Sequence, residues 1–136
     1  MNDPILYRER NAALRKVYSD IIHTQGVNLN YLNRNSILDL IAEQPAPRFY
    51  ITPEIAGWYI CQYYRNNKMP LIKPHKQAMV LDLVENYERL RQQYPDMHKW
   101  ALYDMVVEQP AKSFYMNKQR IKEIIFNYTG RNGKKK

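Results

Sequence analysis

The sequence predicts an all-α protein of two tandem three-helix units, and three observations carry that prediction. ILDLIAEQPAPRFY, from Ile37 to Tyr50, returns 65 residues later as LYDMVVEQPAKSFY, from Leu102 to Tyr115, with seven of fourteen positions identical. Around both copies apolar residues recur at i, i+3, i+4 and i+7, the spacing of a helix face and not the alternation of a strand. Prolines and asparagine-rich stretches fall between those segments, where they end helices instead of interrupting them.

The elements follow in order. Leu14, Val17, Tyr18 and Ile21 line one face of a first helix over 4–24. The asparagine-rich stretch Gly26–Asn35 then carries turn chemistry. A second helix over 36–44 stops at Gln44, because the residue before Pro45 is pushed out of helical geometry. After the corner, Phe49 sits where an apolar residue can fix the entry angle of the next helix. Thr52-Pro53-Glu54 opens that third helix, over 53–65: a cap, a proline at the first helical position, and an acid at the positive pole. Its inner face is Ala56, Tyr59, Ile60 and Tyr63.

Pro70 and Pro74 break the chain between the units. A fourth helix over 75–94 aligns with the first after one insertion. Val80, Leu83, Val84 and Tyr87 then match Leu14, Val17, Tyr18 and Ile21, and Lys76 matches Arg10. Tyr94-Pro95 ends it, and Asp96 is placed to cap a fifth helix over 97–108. The corner repeats at Pro110–Tyr115, Asn117 replaces Thr52 as cap, and a sixth helix runs over 118–129. The residues from Gly130 onward include nothing apolar. The division expected is therefore 1–69 for the first repeat, 70–130 for the second, and 131–136 for a disordered basic tail. Units of this size are marginal alone and should pack together. Arg48–Thr52 is β-type in composition, but no other segment offers it a strand partner.

Lys and Arg exceed Asp and Glu by eight charges, so polyanions, nucleic acid first, are the expected partners. Twelve tyrosines against three phenylalanines point equally to half-buried or interface positions, leaving a protein partner possible. No apolar run approaches the ~20 residues of a membrane span, so no membrane is expected. One cysteine and an N-terminus without signal-peptide character point to a cytoplasmic chain. His23, His75 and His98 are scattered, Cys61 lacks a catalytic signature, and no glycine-rich phosphate loop is present. The expectation is a protein that is not an enzyme and needs no metal or cofactor.

The face of the third helix opposite Ala56 and Ile60 carries Trp58, Gln62 and Arg65. Tryptophan can stack on a base, glutamine can read a base edge, and arginine can grip guanine or phosphate. Lys118, Lys122 and, at the edge, Arg120 occupy the matching surface of the sixth helix. Arg48 and Lys112 stand in the two corners, suited to backbone phosphate. If these residues form a nucleic-acid site, Arg48, Arg65, Lys118 and Lys122 should share one positive surface. Dispersed charge with an exposed aromatic patch would instead point to a structural, assembly or adaptor protein.

Two resemblances bear on this. Pro45–Tyr50 and its flanking helices resemble a Pro-Ala-Pro-Arg-Phe-Tyr string of small uncharacterised proteins from bacteriophages and mobile elements of gut bacteria. The second copy departs from it at Lys112-Ser113. That resemblance implies a phage-type setting, in the bacterial host cytoplasm or the virion. Helix, corner, helix also resembles tri-helical helix-turn-helix DNA-binding proteins, which implies DNA before RNA as the nucleic acid. Gln44 to Thr52 is longer than the usual turn of about 3–4 residues in that motif.

Overall fold

Six helices account for the regular structure of residues 4–25, 34–66 and 74–127, which the computed structural model describes. They are α1 (Pro4–Gln25), α2 (Arg34–Ala42), α3 (Pro53–Asn66), α4 (Pro74–Gln93), α5 (Lys99–Val107) and α6 (Lys118–Lys122). The last widens into a π-helical turn over Glu123–Asn127. No strand occurs among the described residues. Most of both expected connectors, and the basic tail, lie outside them.

Local chemistry accounts for the boundaries. Prolines stand at the first position of α1, α3 and α4, where their missing N–H costs nothing. Thr52 Oγ1 accepts the Ile55 N–H at 3.3 Å, and Asn117 Oδ1 accepts the Arg120 N–H at 2.8 Å, so both expected caps are made. The cap of α5 is His98, whose Nδ1 accepts the Trp100 N–H, and not Asp96. The chain first closes a turn, Met97 N–H to Tyr94 O at 3.0 Å, which delays the helix by two residues.

The helices do not assemble as two separate triplets. α1 packs on α2 and α4 on α5, but α3 lies against α4 and α5, while α6 and its π turn lie against α1 and α2. Each third helix therefore covers the other half of the chain. A single core results, in which Leu14, Ile41 and Ile60 pack with Leu83, Val106 and Ile121.

The two corners meet at its centre. Ala46 N–H donates to Ala111 O at 2.9 Å and Ala111 N–H returns the bond to Ala46 O at 3.0 Å, an isolated antiparallel bridge. The sequence offered the first corner no β-partner; the structure supplies its own repeat. The aromatic pairs cross as well. Phe49 stacks on Tyr115 (6.3 Å, 4°) and Tyr50 on Phe114 (6.1 Å, 1°). Position i of one corner meets j of the other and j meets i, the relation of an isologous interface.

The corners are anchored differently. Asp82 of α4 is 3 % exposed, and its Oδ2 accepts the Lys112 N–H at 2.9 Å and the Tyr115 O–H at 2.6 Å. Its Oδ1 accepts from Asn86 Nδ2 at 3.0 Å. These bonds hold Tyr115 at φ 56°, a left-handed conformation that costs a non-glycine residue about 1–2 kcal/mol. Lys16 stands at the position of α1 that the repeat aligns with Asp82, so the first corner lacks this carboxylate.

Candidate functional site

Gly57 explains how the candidate site forms. A Cβ at this position would lie 2.6 Å from the Tyr103 ring, so only glycine lets α3 approach α5 this closely. Tyr103 is buried, its hydroxyl 3.4 Å from Cys61 Sγ. Burial, and then the contact with Cys61, push its phenol pKa well above the ordinary range. Over this floor α3 and α5 leave a solvent-open groove of about 300 Å³.

Three of the residues nominated from sequence meet there. Trp58, Gln62 and Arg65 line one wall, joined by Lys99 and Trp100 from α5. Trp58 and Trp100 are each 55 % exposed, although burying a ring of that size is strongly favourable. Each is braced edge-on by a tyrosine, Trp58 by Tyr59 at 5.3 Å and Trp100 by Tyr103 at 5.4 Å. Packed neighbours thus hold both half-exposed rings at the groove. Glu54 is the one carboxylate among the lining residues, against two cations.

The other nominated residues do not join this surface. Arg48 lines a separate cavity at the corner, donates Nε–H to the Phe49 carbonyl at 3.0 Å, and lies 5.9 Å from the Tyr50 ring centroid. Lys112 pairs with Glu85 of α4 at 2.8 Å, which raises the lysine pKa and lowers that of the carboxylate. Lys118 pairs with Asp39 of α2 at 2.9 Å, and Arg120 with Glu123 at 3.3 Å. Lys122 is exposed on α6. Arg65 and Arg48 therefore line different features, and three of the nominated cations sit beside an acid. Such exposed pairs contribute about 0–1 kcal/mol each, but they offset local positive charge.

Lys99 and Trp100 carry no mark of the groove in the repeat, which aligns Trp100 with Asn35. The available signal was Gly57, an isolated glycine within a helical pattern, which often marks close packing. Arg10 and Lys76, matched by the repeat but not nominated, line the corner cavity with Arg48.

Among the described residues no group of three or more His, Cys, Asp or Glu is placed to hold a metal ion, and no helix is long and apolar enough to cross a membrane. Comparison with protein-family models, curated proteins and solved structures returns no match for this chain.

Proposed function

We propose that this is a non-enzymatic nucleic-acid-binding protein, acting on single-stranded DNA before duplex, in a phage or mobile-element setting. The single positive surface expected of Arg48, Arg65, Lys118 and Lys122 does not form, so the reading rests on the groove alone: both tryptophans of the chain stand half-exposed along it, and its rim holds Gln62, Arg65 and Lys99 beside Glu54. Aromatic faces beside a basic rim are the means by which proteins hold unpaired strands. Each stacked base contributes about 1–3 kcal/mol, with little dependence on sequence. Two cations at the groove correspond to a salt slope of about −1 to −2 for a single strand, shallower than a duplex reader with many phosphate contacts.

The scaffold belongs to the same proposal. The reciprocal corner contacts and the exchanged third helices support two three-helix repeats, interlaced through their last helices. Under this reading the duplication kept the buried residues and let the exposed ones diverge, so that only the α3–α5 side carries tryptophans.

The test is a fluorescence-anisotropy titration of labelled oligothymidylate and of a duplex, each at two salt concentrations. Saturable binding of the single strand, lost in Trp58→Ala/Trp100→Ala, is the expected result. No binding at low salt contradicts the reading.

A second reading, a structural, assembly or adaptor protein of a phage particle, is favoured by the same exposed aromatics together with the intramolecular pairing of Lys112, Lys118 and Arg120. It predicts concentration-dependent mass in solution, abolished by Trp58→Ala/Trp100→Ala, with no response to DNA.

A further inference from the structure

We propose that the cavity where the two corners cross is an oxyanion site that accepts a phosphate group. Three cations from three elements converge on it: Arg10 from α1, Arg48 from the first corner and Lys76 from α4. No Asp or Glu is among its described lining residues. Tyr50 and Phe114, stacked on each other, form part of its wall.

The cavity measures about 100 Å³, several times the roughly 10–15 Å³ that admits one water, so a small polyatomic anion has room. Its two arginines are held by neutral partners. Arg10 directs Nε and Nη2 to Asn11 Oδ1 at 3.2 and 3.0 Å and lies 4.6 Å from the Tyr7 ring centroid. Arg48 donates to a backbone carbonyl. Among the described residues neither arginine is in a salt bridge. Burial and the positive charge of Arg120 lower the Arg10 pKa, as befits a half-buried cation among other cations. A bound anion would reverse that repulsion. Charge-assisted bonds to two guanidinium groups are the usual means of gripping a phosphate. Ser113 adds a hydroxyl: its Oγ accepts the Tyr115 N–H at 2.9 Å and retains a proton to donate.

The placement sets this cavity apart from a scatter of surface lysines. The repeat aligns Arg10 with Lys76, Arg48 with Ser113 and Tyr50 with Tyr115, so residues of both halves close around one point. None of its lining residues is shared with the tryptophan groove. A free phosphate ion and a phosphate of a nucleic-acid strand offer this cavity the same chemistry.

The test follows backbone amide shifts of the full chain by NMR. The titrants are sodium phosphate against sodium chloride at matched ionic strength, then an oligothymidylate with and without a terminal phosphate. Phosphate should move the Tyr50, Ser113 and Tyr115 amides saturably, and chloride should not. Arg10→Gln/Arg48→Gln should weaken that response at least about tenfold, whereas Trp58→Ala/Trp100→Ala should leave it unchanged even though it removes strand binding at the groove. Movement caused only by the terminally phosphorylated strand identifies a terminal monoester as the source, and movement caused by both strands identifies the backbone diester; each supports the site. Absence of saturable movement with phosphate and with both strands overturns it. An undiminished response in Arg10→Gln/Arg48→Gln overturns it too. Arg48→Gln alone, which leaves α1 untouched, supplies the same comparison should the double variant not fold.

Discussion

Replacing Asp82 by asparagine removes one charge from the centre of the fold and nothing else of size. The carboxylate is 3 % exposed and accepts three side-chain or corner donors: Lys112 N–H, Tyr115 O–H and Asn86 Nδ2–H. An amide has one oxygen. Turned toward the corner, it keeps two bonds but converts them from charge-assisted to neutral, a loss of about 1 kcal/mol each. Its NH₂ then faces the Asn86 donor, adding about another 1 kcal/mol for an unsatisfied group. The opposite orientation is worse, because two donors lose their acceptor. The expected destabilisation is therefore about 2–4 kcal/mol, a lowering of Tm on the order of 8–16 °C for a chain of this size. Asp39→Asn is the control. Its ion pair with Lys118 is about half exposed and should cost less than about 1 kcal/mol. Urea and thermal denaturation followed by circular dichroism compare the two. Equal effects would refute the claim that a buried carboxylate anchors the second corner.

Three further outcomes follow from the same contacts. Gly57→Ala gains about 1 kcal/mol of helix propensity but drives a Cβ into the Tyr103 ring, so net destabilisation of about 1–3 kcal/mol is expected by denaturation; a neutral or stabilising result would mean that α3 and α5 are not this close. Tyr103 and Tyr115 both have raised phenol pKa values, chiefly through burial, so the fold favours their neutral forms. Their contribution is complete below about pH 10 and is lost above it, where the unfolded chain ionises first; urea midpoints that stay flat from neutral pH to above about pH 10 would contradict this. Fragments 1–69 and 70–136 each lack the helix that covers their own first two. Each should be largely unfolded alone and gain helical dichroism on mixing, whereas two independently folded fragments would show the interlacing to be wrong.

Several helix boundaries were legible because their causes are local: Pro53 at a helix start, Thr52 and Asn117 as caps, and Pro45 beyond the end of α2, although that helix runs over Arg34–Ala42 and not 36–44. Periodicity also identified the buried faces of α1, α3 and α4. It could not say what covers each face. A stripe such as Ala56, Ile60 and Tyr63 is equally apolar whether it meets α1 and α2 or α4 and α5, so the packing of α3 on α4 and α5 left no mark in the spacing. The corner bridge was hidden for the same reason, since Ala46 and Ala111 are 65 residues apart and carry no pairing signal. Asp82 was more accessible to sequence reasoning: it falls between Met79 and Asn86 on a face that is otherwise buried. Of the candidate site, Trp58, Gln62 and Arg65 were legible from helical spacing. Lys99 and Trp100 required the α3–α5 packing, which only Gly57 foreshadowed.

Trp58 and Trp100 are the only tryptophans in the chain, and both line the proposed strand groove. Intrinsic tryptophan emission of the unmodified protein therefore reports on that groove alone. Titration with unlabelled oligothymidylate at low salt should quench the emission saturably as bases stack, and added salt should restore it. Emission that stays constant while the strand is shown to bind by another signal would place the nucleic acid elsewhere, and constant emission with no binding would remove it from the account.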